Sequence, residues 1–164
     1  MKVIAIDPGY ERLGIAVLER AQGRQKDIVL YSGCLTTPKT DIHSKRLLSI
    51  KNRVEELIEH YQPEAFATES LFFSKNQKTA LAVAEVRGVI LCLAEEKNLE
   101  IKEFLPTHIK IAVTGHGASD KKQIAKLLPA LVTLAHEPKL DDEYDAIAIA
   151  ITFFAHQRNY LKTK

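Results

Sequence analysis

Val3 to Ile6 form an unbroken apolar run that stops on Asp7, with Pro8 and Gly9 directly after it. A strand covered on both faces has no reason to alternate, so the run predicts a central strand. Leu13 to Leu18 and, past the polar turn AQGRQKD, Ile28 to Leu35 predict two more. Connections this short favour an antiparallel meander of three strands. From Asp41 to Tyr61 the period changes: Leu47, Ile50, Val54, Leu57 and Ile58 recur three or four apart, as one face of a helix requires, and Pro63 ends it.

Ala65 to Thr68 predicts a short strand stopping at Glu69, Asn76 to Lys97 a long helix rich in Ala, Val and Leu, and Glu100 to Phe104 the last strand. Thr107 to Val113 reads as a short helix, TGHGASD as a Gly-rich loop, and Lys121 to Leu131 as a helix whose end Pro129 blurs. The closing KLDDEYDAIAIAITFFAHQ is a helix whose apolar run, Ala146 to Ala155, predicts burial. Three strands, helix, strand, helix, strand and closing helices make an α/β fold: a mixed sheet with helices on its faces. Neither an internal repeat nor a linker divides it, so one domain is expected over residues 1–164, with a frayed tail from about residue 158.

Composition adds little. The chain is 46% apolar, and 23 Lys and Arg against 21 Asp and Glu leave +2, which neither names nor excludes a polyanionic partner. Cys34 and Cys92 lack metal-ligand spacing and read as small buried hydrophobes in a reducing compartment. No stretch reaches the roughly 18 uninterrupted apolar residues of a membrane span, and a cytoplasmic protein is expected.

The chemistry lies in the acids. Two strand-like runs end on carboxylates, Asp7 and Glu69, and ligands of open α/β sheets bind at the carboxyl ends of strands. In LDDEYDA, Asp142 and Asp145 are three apart and share a helix face. Crowded carboxylates cost Coulomb and desolvation energy that hard cations offset, and a pair of such ions roughly 3.5 to 4 Å apart can activate water against a phosphodiester. Each acid also has a plainer reading. Asp7 can start a turn, Glu69 can be an ordinary strand-end acid, and Asp141 and Asp142 compete for the cap of the last helix. Asp145 directly precedes Ala-Ile-Ala-Ile, where a buried carboxylate needs a partner.

With IDPG at 6–9 and Gly14, FATESLFFSKN at 66–76, ALAVAEVRGVI at 80–90 and DEYDAIAIA at 142–150, the chain resembles the RuvC-type crossover junction endodeoxyribonucleases. These are the Holliday junction resolvases of bacteria, in the ribonuclease H-like superfamily. The resemblance covers nearly the whole length. It implies a ribonuclease H-like fold, with a five-stranded mixed sheet whose first three strands are antiparallel and helices on both faces. It further implies that Asp7, Glu69, Asp142 and Asp145 are metal ligands, leaving Asp141 as the cap. Many relatives carry histidine at the place of Asp142. The implied cofactor is Mg²⁺, two ions per subunit, with Mn²⁺ as a substitute. The implied activity is paired, symmetric nicking of a four-way DNA junction to leave 5′-phosphate ends, by a homodimer cooperating with the bacterial RuvA-RuvB branch-migration complex.

LFFSKNQK places Phe72 and Phe73 just past Glu69, with Lys75, Asn76 and Lys78 beside them as candidate phosphate or base contacts. One phenylalanine suits a small satellite core and the other stacking on a base, worth roughly 1–3 kcal/mol; the resemblance favours Phe72 for stacking. Residues 108–126 hold four lysines against one acid, Asp120. Lys110 and Lys121 match the family pattern, Lys122 adjoins them, and Lys121 is placed to stabilise charge at the scissile phosphate. His116 reads as a surface residue of the loop. The long helix with Ala80, Ala84, Arg87, Gly88 and Leu91 along one side can form the dimer interface. The alternatives are a ribonuclease H-like nuclease acting on RNA or an RNA–DNA hybrid, and a catalytically silent junction-binding protein.

Overall fold

The structure, a computed structural model, describes residues 1–23, 25–70 and 77–162, without the side chains of 77–79 and 158–162. Strands β1 (Lys2–Asp7), β2 (Arg12–Glu19) and β3 (Asp27–Thr36) are followed by helix α1 (His43–Tyr61), β4 (Ala65–Glu69), α2 (Gln77–Glu96) and β5 (Glu100–Phe104). Helices α3 (Pro106–Thr114) and α4 (Lys121–Leu131), strand β6 (Val132–Leu134) and helix α5 (Asp141–Lys162) complete the order. The strands form one sheet in the order β5-β4-β1-β2-β3-β6. The antiparallel meander β1-β2-β3 is as expected, and β4 joins β1, and β5 joins β4, in parallel.

The sheet has six strands rather than the expected five. Strand β6 pairs in parallel with β3, matching Asp27 to Val132 and Val29 to Leu134. Three residues are too few to show a period, and Val-Thr-Leu continues the apolar spacing of α4, so only pairing distinguishes it. Pro129 lies within the last turn of α4, and Val132 turns the chain extended into β6.

Alternation along the strands sorts two cores. Val3, Ala5, Ala16, Ala65 and Ala67 face α3, α4 and α5, whereas Ile4, Ile6, Ile15, Val17 and Phe66 face α1 and α2. The alanines on the first face let α5 lie close to the sheet, with α3 and α4 against its other side. That position explains why Ala146 to Ala150 is buried all round.

Two smaller expectations are corrected. Asp141 is the first helical residue of α5 and not the residue that caps it. Cys34 is half-buried, but Cys92 lies on the exposed side of α2 and is no core residue. The backbone of α5 is helical to Lys162. Among the described residues no helix is long and apolar enough to cross a membrane.

Candidate active site

The same alternation aims the acids. Asp7 continues the series Val3, Ala5, and Glu69 the series Ala65, Ala67, so both carboxylates leave their strands on the face that α5 covers. Ile6 sits opposite Thr68 in the parallel β1–β4 pair, which puts Asp7 and Glu69 at the ends of neighbouring strands. Thr68 donates its hydroxyl to the Ile6 carbonyl at 3.0 Å, fastening the two strands just before the acids.

Gly14 brings α5 to the same place. It pairs with Asp7 across β1–β2, and a Cβ on it would lie 2.0 Å from the Asp142 carbonyl oxygen. Only glycine lets the first turn of α5 rest on the strand there. Glu143, buried, fixes this turn from the other side. Its carboxylate accepts the Ser32 hydroxyl at 3.2 Å and the Lys139 backbone N–H at 3.2 Å.

Asp145, Glu69 and Asp142 all lie within electrostatic reach of Asp7. Burial, then the charges of Asp145, Glu69 and Asp142, push the Asp7 carboxyl up to about 7, against an opposing pull from Lys121. Glu69 is raised as well, by burial first and Asp145 second, while Lys121 and Lys110 pull it down. Burial and neighbouring like charge thus both disfavour ionising these two acids. Among the described residues no three His, Cys, Asp or Glu side chains form a ready-made metal cage. Two of the chain's own cations stand among the acids instead: Lys121 Nζ is 2.5 Å from Asp145 Oδ2, and Arg12 Nε is 3.3 Å from Asp142 Oδ2.

A capping box places Lys121. Asp120 accepts the Gln123 backbone N–H at 2.8 Å and Gln123 accepts that of Asp120 at 3.0 Å, so Lys121 opens α4 in a defined direction. The preceding loop is tied by the Thr114 hydroxyl, 2.8 Å from the Lys110 carbonyl and 2.7 Å from the Ser119 hydroxyl. Lys122 and His116 are exposed nearby in the chain. Phe72, Phe73, Lys75 and Asn76 lie outside the described residues, as does the side chain of Lys78, whose backbone is in the first turn of α2. Sequence reasoning missed Arg12 and Glu143, although the Asp-x-x-Gln of the capping box was visible as a pattern.

Residues 3–153 match the family described as "Crossover junction endodeoxyribonuclease RuvC". A protein of that name from Petrotoga mobilis is 42% identical over 160 residues, covering 98% of this chain and 97% of that one. Its namesake from Thermosipho melanesiensis is 45% identical over 150 residues, covering 92% and 94%. The solved Thermus thermophilus RuvC in complex with a Holliday junction substrate superposes with a TM-score of 0.90 at 30% identity, covering 98% of this chain and 96% of that one. Fold, acidic cluster and extent of similarity agree, and the chain belongs to the RuvC family of crossover junction endodeoxyribonucleases.

Proposed function

We propose that this protein is a structure-selective endonuclease that resolves four-way DNA junctions by hydrolysing two symmetrically placed phosphodiesters. The observation that carries the reading is the convergence of Asp7, Glu69, Asp142 and Asp145 at the ends of β1 and β4, on the face covered by α5. The donor set is all oxygen, and Asp142 Oδ2 is buried without a hydrogen-bond partner among the described residues, both of which fit a hard divalent cation. The four acids would hold two such ions, Mg²⁺ or Mn²⁺. When bound, the ions supply Lewis-acid polarisation of the phosphoryl group and a water of lowered pKa.

The chain's own groups do the rest. The strand ends fix Asp7 and Glu69, Gly14 and Glu143 fix the start of α5, and the closeness of the two frames aligns the acids without further ordering. Lys121, which pairs with Asp145, would hold a phosphate oxygen of the cut strand. Lys110, within electrostatic reach of Glu69, and Lys122 would extend that contact along the backbone, with Lys75, Asn76 and Lys78 as further contacts. Phe72, with Phe73 beside it, would stack on bases at the crossover, as the sequence reading has it.

The test is strand-resolved cleavage of a mobile synthetic four-way junction in Mg²⁺ or EDTA, comparing the wild type with Asp145→Asn. Paired, metal-dependent nicks that vanish in the variant while junction binding survives are expected. Binding without cutting under any divalent ion would make the protein a silent junction binder, and cutting only of RNA-containing strands would move it to the hybrid nucleases.

A twofold dimer presents two copies of one site to the two equivalent strands of a junction. Helix α2 offers the surface. Leu81 is 75% exposed, and Glu85, Gly88 and Cys92 continue the same exposed stripe. A Cβ on Gly88 would meet nothing within 4 Å in this chain, yet a mid-helix glycine costs roughly 1 kcal/mol relative to alanine. Close approach of a second copy's α2 gives the glycine a purpose. Gly88→Leu is therefore expected to shift the protein from dimer to monomer in sedimentation velocity with its far-ultraviolet spectrum unchanged; a variant that stays dimeric would remove this stretch from the interface. Cooperation with the branch-migration complex belongs to the same proposal, as does a cytoplasmic setting.

A further inference from the structure

We propose that Arg12 is the exchangeable counter-ion of the acidic cluster: it pairs with Asp142 while no cation is bound, and is released to a phosphate oxygen of the cut strand when a divalent ion takes its place. The inference rests on the nuclease reading above.

Arg12 is the first residue of β2 and shares the parity of Gly14 and Ala16, so its side chain leaves the sheet on the face of α5. Its partner is unequal to it. Asp142 keeps only 16% of its side-chain surface, whereas Arg12 keeps 52%, so the guanidinium reaches in from solvent toward a mostly buried carboxylate. The pairing is also incomplete. Nε stands 3.3 Å from Oδ2, but that oxygen makes no hydrogen bond among the described residues, so Arg12 supplies charge without the directional donor a buried carboxylate oxygen needs.

Lys121 differs in this respect, because its ammonium is 2.5 Å from Asp145 in a direct hydrogen bond. One α5 acid is thus firmly held and the other loosely. The Arg12 guanidinium and an incoming cation thus compete for the same carboxylate. A divalent ion would bring twice the charge to the same oxygen and would win the exchange at sufficient concentration. The displaced guanidinium remains tethered beside the acids, and its planar fork matches two phosphate oxygens.

The experiment has two readouts on the full chain. In the first, Mn²⁺ is titrated without DNA and its free signal followed by electron paramagnetic resonance. Arg12→Gln is expected to bind Mn²⁺ about five- to tenfold more tightly, because a competing charge a few ångström away is gone. In the second, single-turnover cleavage of the mobile junction at saturating Mn²⁺ is expected to fall about tenfold or more in Arg12→Gln and to recover in part in Arg12→Lys. Equal or weaker Mn²⁺ binding by Arg12→Gln overturns the counter-ion role, and an unchanged saturated rate overturns the phosphate role. A wild type that neither binds Mn²⁺ nor cuts overturns the nuclease reading instead. Melting in EDTA verifies that each variant is folded.

Discussion

Asp7→Asn is expected to abolish cleavage and, in the absence of metal, to make the protein more stable at pH 8. Its carboxyl is raised from 3.8 to about 7, chiefly by burial and then by Asp145, Glu69 and Asp142. Between those two values the folded chain binds a proton that the unfolded chain has released. Metal-free stability therefore declines as pH rises through that window, and the whole cost is present above about 7. Three pK units correspond to about 4 kcal/mol, an upper figure for a group near the protein surface. Glu69 adds to the slope in the same sense, since its carboxyl is also raised.

Asparagine has no charge to bury, so its melting temperature at pH 8 should exceed that of the wild type by roughly 5–10 °C, with a flatter dependence on pH. Cleavage in Mg²⁺ should fall about a thousandfold or more, because on the proposed reading Asp7 would help to hold the ions whose Lewis acidity the reaction needs. Thermal melts in EDTA from pH 5 to pH 8 provide the check. A variant less stable than the wild type at pH 8 would mean that Asp7 makes a favourable contact which its shifted carboxyl conceals.

Gly14→Ala should be costly at a position that looks innocuous. The new methyl would lie 2.0 Å from the Asp142 carbonyl oxygen and 2.7 Å from its carbon, and neither atom belongs to a flexible side chain. The first turn of α5 must lift. Overpacking of this kind costs about 1–3 kcal/mol, and on the proposed reading displacing Asp142 by about an ångström would lower the rate about a hundredfold. Equilibrium denaturation and junction cleavage measure the two effects separately. Normal cleavage by a destabilised Gly14→Ala protein would show that the acids tolerate movement of α5.

Much of this was visible in the sequence because it depends on local pattern. Asp7 and Glu69 stood out as charges closing apolar runs, and Asp145 as a charge against an apolar helix. That both leave on one face follows from strand parity, which only the structure displays, because the apolar runs before them are unbroken. Asp142 was separable from Asp141 only through the family resemblance, since either can begin a helix. What stayed hidden depends on register between distant segments. Arg12 sits in the polar stretch Tyr-Glu-Arg, and nothing local tells that β2 will bring it to residue 142. Glu143 reads as one more surface acid until Ser32 on β3 reaches it. Cys92 was misplaced because the small residues around it fit a buried helix as well as an exposed, unpartnered one. Strand β6 is defined by its neighbour alone.

Helix α5 packs against β1 through β5 and carries both Asp142 and Asp145. On the ribosome it is the last of these elements to emerge. Until it does, the alanine-lined face of the sheet has no cover, and Asp7 and Glu69 have no α5 acids opposite them. Biosynthesis thus delivers the second half of the acidic cluster in the same segment that completes the core.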